Sequence, residues 1–149
     1  MRKGNRKLLA GLEKHELQRR VVVDAATGLF NRKGYAGTSM LDVARALKIS
    51  RPALYHYFVN KEDVLTTLVK EVTLHLENLG ASSTTDETRD PLETLHEMIR
   101  NNALFVLNNV AKFRVVEHSE SDLPDDIRQL NMRAKRGIYD RFRIVIERG

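Results

Sequence analysis

Residues 38–61, TSMLDVARALKISRPALYHYFVNK, hold two short helical stretches separated by so few residues that only a tight turn can join them. Thr38 and Ser39 offer an N-cap, and Asp42, three residues beyond Ser39, completes a capping-box pair. Either Leu41, Ala44 and Leu47 or Val43 and Leu47 form the inner side of the first helix. Lys48-Ile49 makes the turn and Ser50 caps the second helix. Pro52 falls in that helix's first turn, where its missing N–H costs nothing. Ala53, Leu54 and Phe58 suit its inner face. This is the layout of a helix-turn-helix, in which the first helix braces while the second offers its N-terminal residues and a polar face to a major groove.

The remaining chain reads as helices around this block. Residues 1–13 are basic and weakly patterned, as expected of a mobile arm. From about Lys14 to Lys33, Leu17, Val21, Ala25 and Leu29 recur at four-residue spacing beside Val22 and Phe30, predicting one buried stripe. Gly34 then takes the position after the helix, where a left-handed backbone suits glycine. Asn60, with Asp63 three residues on, caps a fourth helix running through Val64, Leu65, Leu68, Val72 and Leu76 to Gly80. Residues 81–90 (ASSTTDETRD) read as a linker. Pro91 opens a helix carrying Leu92, Leu95, Met98, Ile99, Phe105 and Val110, and a short element follows over 111–118. Pro124 and two aspartates open a last long helix with Ile127, Leu130, Ala134, Ile138, Phe142 and Val145 along one side.

The expected class is all-α. A flexible arm occupies residues 1–13, a helix-turn-helix head 14–61, a connecting helix 62–80, and a second helical domain 81–149. The chain has 42% hydrophobic and 30% charged residues, so it can bury a core and stay soluble. It has no cysteine, which excludes disulfides and thiolate metal sites. No apolar run approaches the ~20 residues a membrane span needs, and a cytoplasmic location without membrane partners is expected. Charge is unevenly shared. Residues 1–61 hold 13 Lys/Arg against 4 Asp/Glu, whereas 62–149 hold 12 against 16. A cationic segment that coincides with the helix-turn-helix points to a polyanion as partner.

A short reading helix needs groups for phosphates, small residues where it meets the groove, and polar side chains for base edges. Thr38, Ser39 and Ser50 suit the first role, though each also serves as a cap. Pro52 and Ala53 suit the second, since either can touch a thymine methyl. Arg51 can grip a guanine edge or a phosphate. Tyr55 and Tyr57 offer hydroxyls to phosphates, His56 can reach a phosphate or a base, and Lys61 is placed for the backbone.

The runs D-A-A-x-x-L-F-x-x-x-G-Y (24–35), T-S-M-x-D-V-A (38–44), I-S-R-P-A-L-Y-H-Y-F (49–58) and K-E-D-V-L (61–65) closely resemble the DNA-binding head of the TetR family of bacterial regulators. The resemblance implies that Thr38, Arg51, Pro52, Ala53, Tyr55, His56, Tyr57 and Lys61 contact operator DNA. It also implies a homodimer on a near-palindromic site, most simply as a repressor released by a small molecule bound in the C-terminal helices. Lys48 departs from the pattern, because the family usually places Gly or another turn-tolerant residue there. The chain also stops after its seventh helix, where the family usually has two more that build the dimer, so a continuation beyond Gly149 is expected.

In the C-terminal region Met98, Asn102, Phe105, Asn109 and Phe113 fall near one face, with Met132, Tyr139 and Phe142 available from the last helix. An apolar cavity with a few amides suits a hydrophobic, lipid-like effector. Two rival readings stand beside this one. Glu93 and His96 form the Glu-x-x-His spacing of di-iron helical bundles, but no second copy is present. A DNA-coating protein without sequence preference would use the same helices. No catalytic residue, metal or cofactor is expected.

Overall fold

The computed structural model describes residues 3–78 and 88–149, with side chains from residue 11 onward. Met1, Arg2, the expected helix stop at Gly80 and most of the expected linker lie outside the described residues. Among the described residues there are seven α-helices: α1 Lys3–Lys33, α2 Met40–Leu47, α3 Arg51–Tyr55, α4 Lys61–Asn78, α5 Pro91–Asn108, α6 Val110–His118 and α7 Asp125–Arg148. A 3-10 turn, Glu120–Asp122, precedes α7, and no strand occurs among the described residues. The chain divides into two units, up to Thr67 and from Leu68 on, and passes from one to the other within α4.

In the first unit the core is built from Val22, Val23, Ala26, Leu29 and Phe30 of α1 with Met40, Val43 and Ala44 of α2. Leu54, Phe58, Val64 and Leu65 complete it. Three sequence expectations are corrected here. Residues 3–13 are not an arm but the first turns of α1. Their Lys, Arg, Leu, Ala and Glu are good helix formers, and Gly4 and Gly11 together cost only ~2 kcal/mol, too little to break a helix of 31 residues. The buried stripe of α1 is rotated from the expected one, leaving Leu17 and Val21 59% and 44% exposed. Four-residue spacing alone drifts around a helix of 3.6 residues per turn, so Val22, Val23 and Ala26 take the inner face. On α2 Val43 and Ala44 are buried as expected, but Leu41 faces outward and Met40 takes its place in the core.

Local signals explain where these helices stop. Gly34 adopts φ 76°, as the end of α1 requires. Gly37 is needed for space, since a Cβ there would lie 2.5 Å from the Lys33 carbonyl oxygen. Asn60 Oδ1 accepts from the Asp63 N–H at 2.8 Å, and Asp63 accepts from the Val59 N–H at 3.1 Å, closing the start of α4.

In the second unit Leu68, Val69, Val72 and Leu76 of α4 are buried, as are Met98, Val115, Val116, Leu123, Ile127, Ala134 and Val145. Asp90 caps α5 through bonds from the Leu92 and Glu93 N–H groups at 2.8 and 3.0 Å. Arg141 of α7 donates to the Leu76 and Glu77 carbonyls at 2.9 and 2.6 Å, satisfying the end of α4. Leu92, Ile99 and Val110, expected as part of an apolar face, lie exposed. Asn131 is 1% exposed, and neither atom of its amide has a hydrogen-bond partner.

Candidate nucleic-acid interface

The turn between α2 and α3 sets the site. The Ser39 hydroxyl accepts the Asp42 N–H at 3.1 Å, and Asp42 Oδ2 accepts the Ser39 N–H at 2.9 Å, a reciprocal capping box. The Ser39 hydroxyl also donates to that carboxylate at 2.7 Å, and Lys33 Nζ adds a bond at 3.2 Å. The Ser39 hydroxyl and N–H, followed by Lys33, hold the Asp42 carboxyl down at about 2, below its usual 3.8.

At the other end of α2, Lys48 has φ 55° and ψ 36° and is the one non-glycine residue with positive φ among those described. The Ile49 N–H reaches back to the Ala44 carbonyl and the Lys48 N–H to Arg45, each at 3.1 Å, the paired bonds of a Schellman turn. Ser50 then caps α3, accepting the Ala53 N–H at 3.2 Å.

α3 has only five residues and turns Leu54 fully inward, with Phe58 following into the core. Arg51, Pro52, Tyr55 and His56 are exposed, at positions that share one side of the helix. The Arg51 guanidinium lies 5.6 Å from the Tyr55 ring centre, so the two side chains form one amphipathic surface. Ala53 and Tyr57 flank this ridge half-buried. Arg45 and Lys48 are exposed in the preceding helix and turn, adding positive charge. A narrow ridge with a forked cation, a ring hydroxyl and an imidazole can enter a major groove and bond base edges and phosphates.

Other expected contact residues are occupied within the protein. Thr38 is 2% exposed, and its hydroxyl donates to the Gly34 carbonyl at 2.8 Å, so it closes the α1–α2 corner. Ser39 and Ser50 are exposed but their hydroxyls serve the caps. Lys61 Nζ donates to the Tyr35 carbonyl at 2.7 Å and lies 4.2 Å from the centre of the Tyr35 ring. Thr38 is thus turned into the protein, whereas Lys61 is half-buried and keeps further N–H donors.

Sequence reasoning missed the α1 residues behind the ridge. The Arg19 guanidinium donates to the Tyr57 carbonyl and, at 3.2 Å, to the Thr67 hydroxyl, with its centre 4.1 Å from the Phe58 ring. The His15 ring lies 5.2 Å from Tyr57 and 5.8 Å from His56. The bond to Tyr57 spans 38 positions and ends on a backbone carbonyl, which any residue type carries, so no side-chain pattern announces it.

Of the expected effector residues, Phe105, Asn109 and Phe113 come together. Phe105 and Phe113 meet edge to face at 5.5 Å, and Asn109 donates to the Phe105 carbonyl at 2.9 Å. His75, which the sequence did not single out, stacks on Phe105 at 3.6 Å. Met98 is buried, Asn102 and Phe142 are half-buried, and Tyr139 is 75% exposed. Glu93 and His96 line a shallow cleft of about 250 Å³ with Arg89, Glu97 and Arg100, where Arg89 pairs with Glu97 at 2.9 Å. Among the described residues no three His, Cys, Asp or Glu side chains are grouped to hold a metal ion, and no helix is long and apolar enough to cross a membrane.

Among the described residues, a capped turn that raises a short, exposed, cationic helix from a packed helical core defines a helix-turn-helix head, the class of fold that binds DNA. Residues 22–68 match the family of bacterial regulatory proteins called tetR. This head is similar to the N-terminal DNA-binding region of that family. It is 22% identical over 130 residues to the transcriptional regulator TtgR of Pseudomonas putida, covering 86% of this chain and 62% of that one. The chain thus spans less than two thirds of the length of that relative. Among solved structures, the regulator PfmR of Thermus thermophilus superposes with a TM-score of 0.77 at 28% identity, over 86% of this chain and 69% of that one. AibR, crystallised with isovaleryl coenzyme A and operator DNA, matches with a TM-score of 0.66 at 27% identity, over 83% and 66%.

Proposed function

We propose that this protein is a ligand-responsive transcriptional regulator, acting most simply as a repressor, that binds a near-palindromic operator as a homodimer in the cytoplasm. The observation that carries this reading is the exposed ridge of Arg51, Pro52, Tyr55 and His56 on a helix whose opposite side is fully buried. Two such helices, about 34 Å apart, would meet successive major grooves on one side of a duplex. Of the ridge residues, Arg51 has the geometry for bidentate contact with a guanine.

The helices beyond the linker are assigned to effector binding and dimerisation. The aromatic group of His75, Phe105 and Phe113, with the Asn109 amide beside it, supports a small effector that is largely apolar. The acyl thioester bound by AibR favours acyl compounds as the first class to try. Effector binding would shift α4 and change the separation of the two heads, lowering operator affinity through a population shift.

Selection from a random duplex pool tests the reading. The wild-type protein is expected to enrich one inverted-repeat motif and bind it at least ~10³-fold more tightly than random DNA. Arg51→Ala should lose more specific than non-specific affinity, and equal losses would reassign Arg51 to phosphates. A pool that yields no motif overturns the regulator reading in favour of a DNA-coating protein. Equal head separation and operator affinity with and without bound acyl-CoA would overturn release by that effector class.

A further inference from the structure

We infer that His15 and Arg19 of α1 form a clamp that positions the C-terminal end of the reading helix, and that Arg19 couples this end to α4. The inference rests on the regulator reading for its consequence, but the clamp itself is a property of the first unit. α3 ends at Tyr55, and residues 56–58 run on as a turn that must place His56 outward while Phe58 enters the core. A five-residue helix forms one turn and cannot fix this geometry by its own hydrogen bonds.

α1 supplies what α3 lacks. His15 and Arg19 are four residues apart and therefore neighbours on one helix face. His15 packs on the rings of His56 and Tyr57, while Arg19 bonds the Tyr57 carbonyl and lies over the Phe58 ring. Three consecutive residues are thus gripped from behind, one by ring packing, one by ring and carbonyl, and one by its aromatic face. The other arm of the Arg19 fork reaches Thr67, whose hydroxyl in turn donates to the Asp63 carbonyl at 2.8 Å and so is turned to accept from Arg19. One planar guanidinium spans the end of α3 and the first turns of α4. Any movement of α4 that draws Thr67 away must reorient the group that holds Tyr57. A lysine has one point of attachment and cannot hold both acceptors in the same fork geometry.

Position along α3 makes the inference testable. The clamp acts at residues 56–58, whereas Arg51 lies at the opposite end of the helix. In the full chain, Arg19→Gln is expected to lower operator affinity about tenfold while changing non-specific affinity no more than Arg20→Gln, which removes the same charge from an exposed neighbour. Arg19→Lys should recover only part of this loss, and Thr67→Val should reproduce a fraction of it. In double-mutant cycles Arg19→Gln should couple to His56→Ala and be additive with Arg51→Ala. Melting curves identify any variant that is simply unfolded. Hydrogen exchange over residues 55–60 reads the clamp without DNA and should quicken in Arg19→Gln but not in Arg20→Gln. Unchanged exchange there overturns the clamp, whatever the DNA results. Quickened exchange with equal coupling to His56 and Arg51 overturns the positioning role. Failure of the wild type to select an operator counts against the regulator reading and leaves exchange to decide the clamp.

Discussion

Lys48 should be the least comfortable residue in the head, and replacing it by glycine should stabilise the protein. Its φ of 55° and ψ of 36° place a side chain in the left-handed region, where a Cβ costs about 1–2 kcal/mol. Glycine removes that cost but widens the unfolded ensemble, returning about 0.4–1 kcal/mol. The net gain for Lys48→Gly is therefore ~0.5–1 kcal/mol, or ~1–4 °C in melting temperature for a chain of this size. The turn hydrogen bonds from the Lys48 and Ile49 N–H groups do not involve the side chain and should persist. Tyrosine fluorescence during thermal unfolding reports mainly on the head, which contains Tyr35, Tyr55 and Tyr57 of the chain's 4 tyrosines. Lys48→Ala separates backbone from charge, since it removes the cation but keeps the Cβ. Lys48→Asn should fall between, because asparagine tolerates the left-handed region better than most residues. If Lys48→Ala raises the melting temperature as much as Lys48→Gly, the effect is electrostatic and the backbone argument is refuted.

Gly37→Ala should destabilise the head by ~1–3 kcal/mol, because its new methyl would meet the Lys33 carbonyl oxygen at 2.5 Å; urea midpoints check this. The Asp42 carboxyl is held at about 2 in the folded protein, below its usual 3.8, so its contribution is fully present above pH 3.8 and is lost as pH falls toward 2. Asp42→Asn should accordingly lie below wild type in stability at pH 6, and the gap should narrow between pH 4 and 2; a constant gap would show that the carboxylate charge is not what the cap uses. Asn131→Leu should raise the melting temperature of the second unit by removing a buried amide with no partner, and a fall would show that the amide is satisfied in solution. Arg51→Ala should spare the melting temperature while lowering specific DNA binding, as calorimetry and operator titration would show.

Much of the head was legible because its signals are local. Ser39 with Asp42, Ser50 with Pro52, and Asn60 with Asp63 each act within four residues, and each sits at a helix start in the structure. Gly34 and the turn at Lys48 were legible for the same reason. The exposed face of α3 was legible as a block, but which of the expected residues face outward was not. Thr38 and Lys61 look outward in a linear reading, yet both are bonded to carbonyls of the α1–α2 connection, Gly34 and Tyr35. Arg19 and His15 matter through residues 38 to 48 positions away. The rotated face of α1 has a similar origin, because which apolar residues turn inward is decided by the helices packed against them. In the second unit a pattern of apolar residues at helical spacing did not distinguish buried Met98 from exposed Leu92 and Ile99.

The small size of α3 has an evolutionary consequence. Leu54 and Phe58 carry its attachment to the core, while Arg51, Pro52 and Tyr55 face outward, so these two duties fall on different positions. Duplicated copies of such a gene can exchange one outward set for another and acquire a new target without first acquiring a new way to fold.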